Sequence, residues 1–148
     1  MKASMAEMQV FGARAPDVEY KERRAAYVVL IDDGRVAMVL GRRQHFLPGG
    51  GSLPGEAPEA TVTREVSEEL ASGVRLLCKL GEAVQYFYSA TDDCHYQMLA
   101  TFFAGELTGP RGATGEHELR WLPVGEASQA CFHECHAWAV GCAMGQRV

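Results

Sequence analysis

The sequence predicts an α/β fold, a mixed β-sheet held between helices. Three observations point to it. Residues 25–31 and 35–40 are continuous apolar runs separated by Asp32-Asp33-Gly34, a tight-turn sequence, which reads as a β-hairpin. Residues 60–70 contain no Gly or Pro, are rich in helix formers, and follow Pro58, whose missing N–H is no loss in a first turn. The overall order is strands, helix, strands, helix, without regular βαβ alternation.

Residues 1–24 are polar and irregular, with a short edge strand expected near 18–21. After the hairpin, Gly41 to His45 leave the second strand. Phe46-Leu47 leads into Pro48-Gly49-Gly50-Gly51, a loop able to turn tightly and to bring its backbone close to a ligand. Beyond the helix, residues 74–80 read as a strand, Gly81-Glu82-Ala83 as a break, and 84–89 as a second strand with three aromatics. Thr91-Asp92-Asp93 marks a turn and 96–107 a long strand. A Gly/Pro-rich loop at 108–115, a short strand at 118–122 ended by Pro123, and one final helix at 125–144 complete the chain. With no repeat, linker or low-complexity segment, residues 1–148 read as a single domain.

A chain of 148 residues, 47% hydrophobic and 22% charged, can bury a reasonable core and reads as globular. The net charge is −5 and no long Lys/Arg run occurs, which argues against a dedicated nucleic-acid or membrane surface. A small phosphorylated ligand remains compatible. No stretch is apolar enough to span a bilayer and no signal-peptide core is present, so a cytoplasmic location is expected. Composition leaves a homodimer open. Five cysteines, an odd number, fit reduced thiols. Cys131 and Cys135 in CFHECH have a zinc-like spacing. Cys131, Cys135, Trp138 and Cys142 also repeat at i, i+4, i+7 and i+11, the pattern of a buried helical stripe, which is the preferred reading.

Chemistry concentrates on the first helix. Glu65, Glu68 and Glu69, at i, i+3 and i+4, project from one face, with Thr63, Val66 and Leu70 on an adjoining face that can pack into a core. Three like charges repel, and a divalent cation removes the conflict; hard oxygen ligands favour Mg²⁺ or Mn²⁺. The plainer alternative is a solvated acidic face with Arg64 as counter-charge. Arg42 and Arg43 stand beside the glycine loop as candidate phosphate contacts, at least one being an ordinary surface charge. Tyr86 and Tyr88 share one strand face and Phe87 the other. The tyrosines are either half-exposed strand aromatics or contacts to a base or phosphate at a pocket mouth.

Gly50, five residues, Glu56, seven residues, then Arg64-Glu65-Val66-Ser67-Glu68-Glu69 resembles the signature of the Nudix hydrolases, a MutT-like pattern. Phe46-Leu47-Pro48-Gly49-Gly50 resembles the family's entry to that signature, and 118–121 its late strand, so the likeness covers roughly residues 25–140. The glycine usual two residues after the last glutamate is Ala71 here, followed by Ser72. Either the helix runs on to Gly73 or Ala71 takes the cap.

The resemblance implies a Nudix-type α/β/α sandwich that cleaves a nucleoside diphosphate linked to another group, with Mg²⁺ or Mn²⁺. Position by position it implies Glu65 and Glu69 as metal ligands and Glu68 as a ligand or water-polarising group. It further implies a Gly49 or Gly50 carbonyl in the shell, Arg64 orienting the glutamates, and Glu56 holding loop to helix. The base stays open among Glu68, Glu65, Glu116 and Glu118, the last two reading equally as solvated loop charges. Some dinucleoside polyphosphate hydrolases of the family carry a tyrosine sixteen to eighteen residues beyond the signature. Tyr88 is sixteen beyond Ser72, which places that substrate class slightly ahead of nucleoside triphosphates and ADP-ribose. Two other readings remain: a non-catalytic nucleotide-sensing module, whose sign is a broken signature, and isopentenyl diphosphate isomerisation, which wants a cysteine near the substrate.

Overall fold

The apolar run at 25–31 is continuous because it is buried on both sides. In the computed structural model, which describes residues 8–109 and 115–145, it forms the middle of β2 (Tyr20–Asp32). Side chains alternate across a strand. Ala25, Tyr27 and Val29 therefore enter one core, and Ala26, Val28 and Leu30 the other. A helix covers each side. α1 (Pro58–Leu70) buries Val62, Val66 and Leu70 in the second core, whereas Thr63 is exposed. The first core is closed by α2 (Val124–Ala130) and α3 (Glu134–Gly145).

The sheet has eight strands among the described residues. β1 (Gln9–Phe11), β6 (Val74–Ser89), β7 (Cys94–Leu107), β2, β3 (Arg35–Gly41) and β4 (Gln44–Phe46) follow in that spatial order. β5 (Gly49–Gly51) pairs with β2, and β8 (Glu118–Pro123) with β3. The sheet is mixed: β1–β6 and β2–β7 are parallel, and the other pairs antiparallel. The expected α/β layering is therefore present, with the expected hairpin turning at Asp33 and Gly34, both at positive φ. No helix among the described residues is long and apolar enough to cross a membrane.

Three expectations change, and a fourth falls partly outside the described residues. No separate edge strand forms near 18–21: Tyr20 and Lys21 open β2 and pair with His95 and Tyr96 of β7. Residues 81–83 do not break the chain, because β6 runs through them. Bulges between Leu76 and Cys78 and between Lys79 and Gly81 absorb the extra residues, which is what the glycine signalled. The final helix is two helices. Cys131 takes an extended conformation, and the Phe132 N–H bonds the His45 carbonyl at 3.0 Å, so β4 captures the backbone at that point. The buried stripe of α3 is consequently Cys135, His136, Ala139, Val140 and Ala143, with Trp138 and Cys142 partly buried beside it. The loop expected at 108–115 lies partly outside the described residues.

Candidate active site

The glycine segment is a strand rather than a free loop. Gly49, Gly50 and Gly51 pair with Tyr27, Ala26 and Ala25, and flanking bonds join Val28 N–H to the Pro48 carbonyl and Ser52 N–H to the Arg24 carbonyl, each at 2.9 Å. Gly49 has φ 139°, and a Cβ there would meet the Ala26 carbonyl at 2.2 Å. At Gly50 a Cβ would come within 2.9 Å of the Glu65 carboxyl carbon. Only glycine lets this strand lie between β2 and the carboxylates of α1.

α1 starts as its sequence dictates, with Pro58 in the first turn, and ends at Ala71 in the left-handed region (φ 53°, ψ 40°). Ala71 thus takes the C-cap, its N–H bonding the Ser67 carbonyl at 3.0 Å. Glu56 is the knot between loop and helix. Its carboxylate accepts from Arg64 Nε and Nη2 at 2.9 Å, Thr61 Oγ1 at 2.8 Å and Leu53 N–H at 3.0 Å. The Arg64 guanidinium holds its pKa down to about 2, helped by the Leu53 N–H. Arg64 also donates to the Gly51 carbonyl at 3.0 Å, to Glu65 at 2.9 Å and to Glu68 at 3.4 Å.

The three glutamates differ in environment. Glu68 is 45% exposed, Glu65 18% and Glu69 8% by side chain. Burial raises the pKa of Glu65, against the lowering effect of Arg64. Burial raises that of Glu69 to about 8, with the Gly49 N–H opposing and the charges of Glu65 and Glu68 adding to it.

Beside them opens a cavity of about 610 Å³, in the size range of small-molecule sites. Of the candidate site residues named from sequence, Gly49, Gly50, Glu69, Arg42 and Tyr88 line it. Glu56, Arg64, Glu65, Glu68, Arg43, Tyr86, Glu116 and Glu118 do not. Arg42 and Arg43 form the two-residue turn between β3 and β4, both at positive φ, and only Arg42 faces the cavity. Tyr88 is a half-exposed rim residue whose hydroxyl donates to Asp93 at 2.5 Å. Tyr86 packs on Tyr20 instead. Glu118 pairs with Arg120 at 3.1 Å, and Glu116 is exposed, its N–H bonding the Glu68 carbonyl.

Arg23 and His117 are among the lining residues that the sequence reading does not name. Arg23 lies against Gly51, where a Cβ would meet its Nη2 at 3.2 Å, and its buried Nε has no hydrogen-bond partner among the described residues. His117 places Nδ1 at 4.0 Å from Glu69 Oε2. Neither lies near the signature in sequence, and the pairings that bring them to the site are non-local.

The NUDIX domain model matches residues 21–138. The chain belongs to the NUDIX family. Among solved NUDIX structures, a MutT NUDIX hydrolase from Burkholderia pseudomallei is 25% identical, with a TM-score of 0.64 over 82% of this chain and 97% of that one. A NUDIX hydrolase from Nitrosomonas europaea superposes with a TM-score of 0.66 at 17% identity, over 85% and 90% of the two chains. A curated relative, CMP-5'-(N-acetyl-N-hydroxy-3-aminopropyl)phosphonate hydrolase of Streptomyces rubellomurinus, is 26% identical over 87% of this chain. The alignment spans 66% of that relative's length.

NUDIX hydrolases use divalent metal ions, and the donor set here suits a hard cation: three carboxylates in one turn of α1, beside glycine carbonyls. Burial first, and the charges of Glu65 and Glu68 after it, raise the pKa of Glu69, and a cation beside the carboxylate would offset both. Glu65 and Glu68 turn toward Arg64, so among the described residues no three metal-ligating side chains converge.

Proposed function

We propose that this NUDIX chain hydrolyses the pyrophosphate bond of a nucleoside diphosphate linked to another group, with Mg²⁺ or Mn²⁺ held by Glu65, Glu69 and the Gly50 carbonyl. The observation that carries this reading is the Gly49 N–H bond to Glu69 at 2.9 Å, which fixes the glutamate-bearing turn of α1 against the glycine strand at one end of the cavity. Bound Mg²⁺ neutralises phosphate charge.

The chain's own groups do the rest. Arg23 and Arg42, the two arginines lining the cavity, hold the phosphates. Glu68, the most exposed of the three glutamates, accepts the proton of the attacking water. The water oxygen bonds to phosphorus as the bridging P–O bond breaks, and the displaced phosphate leaves with the bond's electron pair. Arg64 keeps Glu65 and Glu68 in place, and Glu56 keeps Arg64 in place. The intact carboxylate set favours this reading over a non-catalytic nucleotide-sensing module.

The curated relative is named for a CMP-linked phosphonate, so the test is a panel of CMP-linked compounds, dinucleoside polyphosphates, ADP-ribose and nucleoside triphosphates with Mg²⁺. Release of a nucleoside monophosphate or phosphate from at least one supports the reading. Binding without release from any of them would favour the sensing module.

A further inference from the structure

The break between α2 and α3 brings an aromatic group into the cavity that the phosphate chemistry does not use. Phe132 is 40% exposed, high for a phenylalanine, yet it faces the concave site rather than the outer surface. Its backbone is fixed: the Phe132 N–H bonds the His45 carbonyl, and Cys131 bridges to His45 of β4. Phe46 lies 5.5 Å from it between ring centroids, and His133 lies 4.8 Å away. His133 in turn packs edge-on to Phe87 at 4.6 Å. His133 is 5% exposed, and burial lowers its pKa to about 4, so this wall is uncharged at neutral pH.

A nearly apolar, rigid aromatic wall with one ring left open suits a planar guest. Offset stacking on Phe132 needs no charge and little ordering, since the ring is already held. Gln44, also on the lining, can both donate and accept hydrogen bonds at the guest's edge. Arg23, Gly50 and Glu69 line the same cavity, so a group resting on this wall remains within one small-molecule volume of the phosphate end.

We infer that Phe132, backed by Phe46 and His133, is the platform on which the heteroaromatic base of the substrate stacks, making the α2–α3 linker a specificity element of this enzyme. The inference rests on the proposed nucleotide reading of the cavity, and it is tested by binding, independently of turnover.

Dissociation constants for AMP, CMP and ribose 5-phosphate are measured by calorimetry on the wild type, Phe132→Ala and Phe132→Trp, with circular dichroism confirming the fold. The wild type should bind at least one nucleotide more tightly than ribose 5-phosphate. Phe132→Ala should weaken that nucleotide by roughly 5- to 100-fold, the range expected for one lost base–ring stack, and leave ribose 5-phosphate unchanged. Phe132→Trp should restore it. Equal binding of AMP, CMP and ribose 5-phosphate by the wild type, or an equal loss for nucleotide and sugar phosphate in Phe132→Ala, overturns the inference. Failure of the hydrolase reading would look different: selective nucleotide binding through Phe132, with no product released.

Discussion

The Gly49 N–H donates to Glu69 Oε1 at 2.9 Å, and this bond ties the glycine strand to the last turn of α1. The bond stabilises the charged carboxylate, but burial outweighs it and leaves the Glu69 pKa raised to about 8. An acid whose pKa is higher folded than unfolded contributes most stability when both states are protonated, and loses it as pH rises. In metal-free protein the Glu69 contribution is therefore complete below pH 4.5 and lost progressively up to about pH 8. Glu69→Gln should remove that dependence and melt at a higher temperature than wild type at pH 8. The expected gain is on the order of a few kcal/mol. Calorimetry of both proteins with chelator, across that pH range, checks it.

Glu56 has the opposite sign. Its pKa, held down to about 2 by Arg64, makes its contribution complete above the unfolded value of 4.5 and lost as pH falls toward 2. Glu56→Gln should flatten acid denaturation between those limits and loosen the hold on Arg64. Urea midpoints at pH 7, 4 and 2.5 for the two proteins should converge only at the lowest pH.

Ala71 occupies the left-handed cap with φ 53°, a conformation that costs an L-residue about 1–2 kcal/mol. Ala71→Gly relieves this strain and adds unfolded-state entropy. The net effect should be a gain of up to about 1 kcal/mol, or roughly 2–4 °C in Tm, with activity unchanged.

Burial raises the Cys131 thiol to about 11 and the Cys135 thiol to about 12, whereas Cys78 is exposed. Thiol titration of native protein at pH 8 should modify Cys78 first and Cys131 and Cys135 only on unfolding. Cys135 lies in the first core and the Cys131 thiol donates to the Ala127 carbonyl at 3.1 Å, so both serve packing and purified protein should carry no stoichiometric zinc, which elemental analysis checks.

What was legible in the sequence was local. Pro58, the helix formers after it and the spacing of Glu65, Glu68 and Glu69 define α1 within a few turns, and Asp33-Gly34 defines a turn within two residues. What was not legible depends on strands far apart in the chain. Arg23 reaches the cavity because β2 pairs Ala25 with Gly51, and His117 reaches Glu69 because the Glu116 N–H bonds the Glu68 carbonyl. The apolar repeat across residues 131–142 was real as periodicity, yet β4 takes the Phe132 N–H and ends the helix there. A propensity reading has no access to that competing partner.

If the carboxylates of α1 carry pyrophosphate hydrolysis, Glu69→Gln should disable it. The kcat of this variant is compared with wild type on the best substrate of the nucleotide panel, at saturating Mg²⁺, after circular dichroism shows an intact fold. The kcat should fall by about 10²-fold or more, typical of losing a group that holds a catalytic metal or moves a proton. A kcat within a factor of about two of wild type would contradict it.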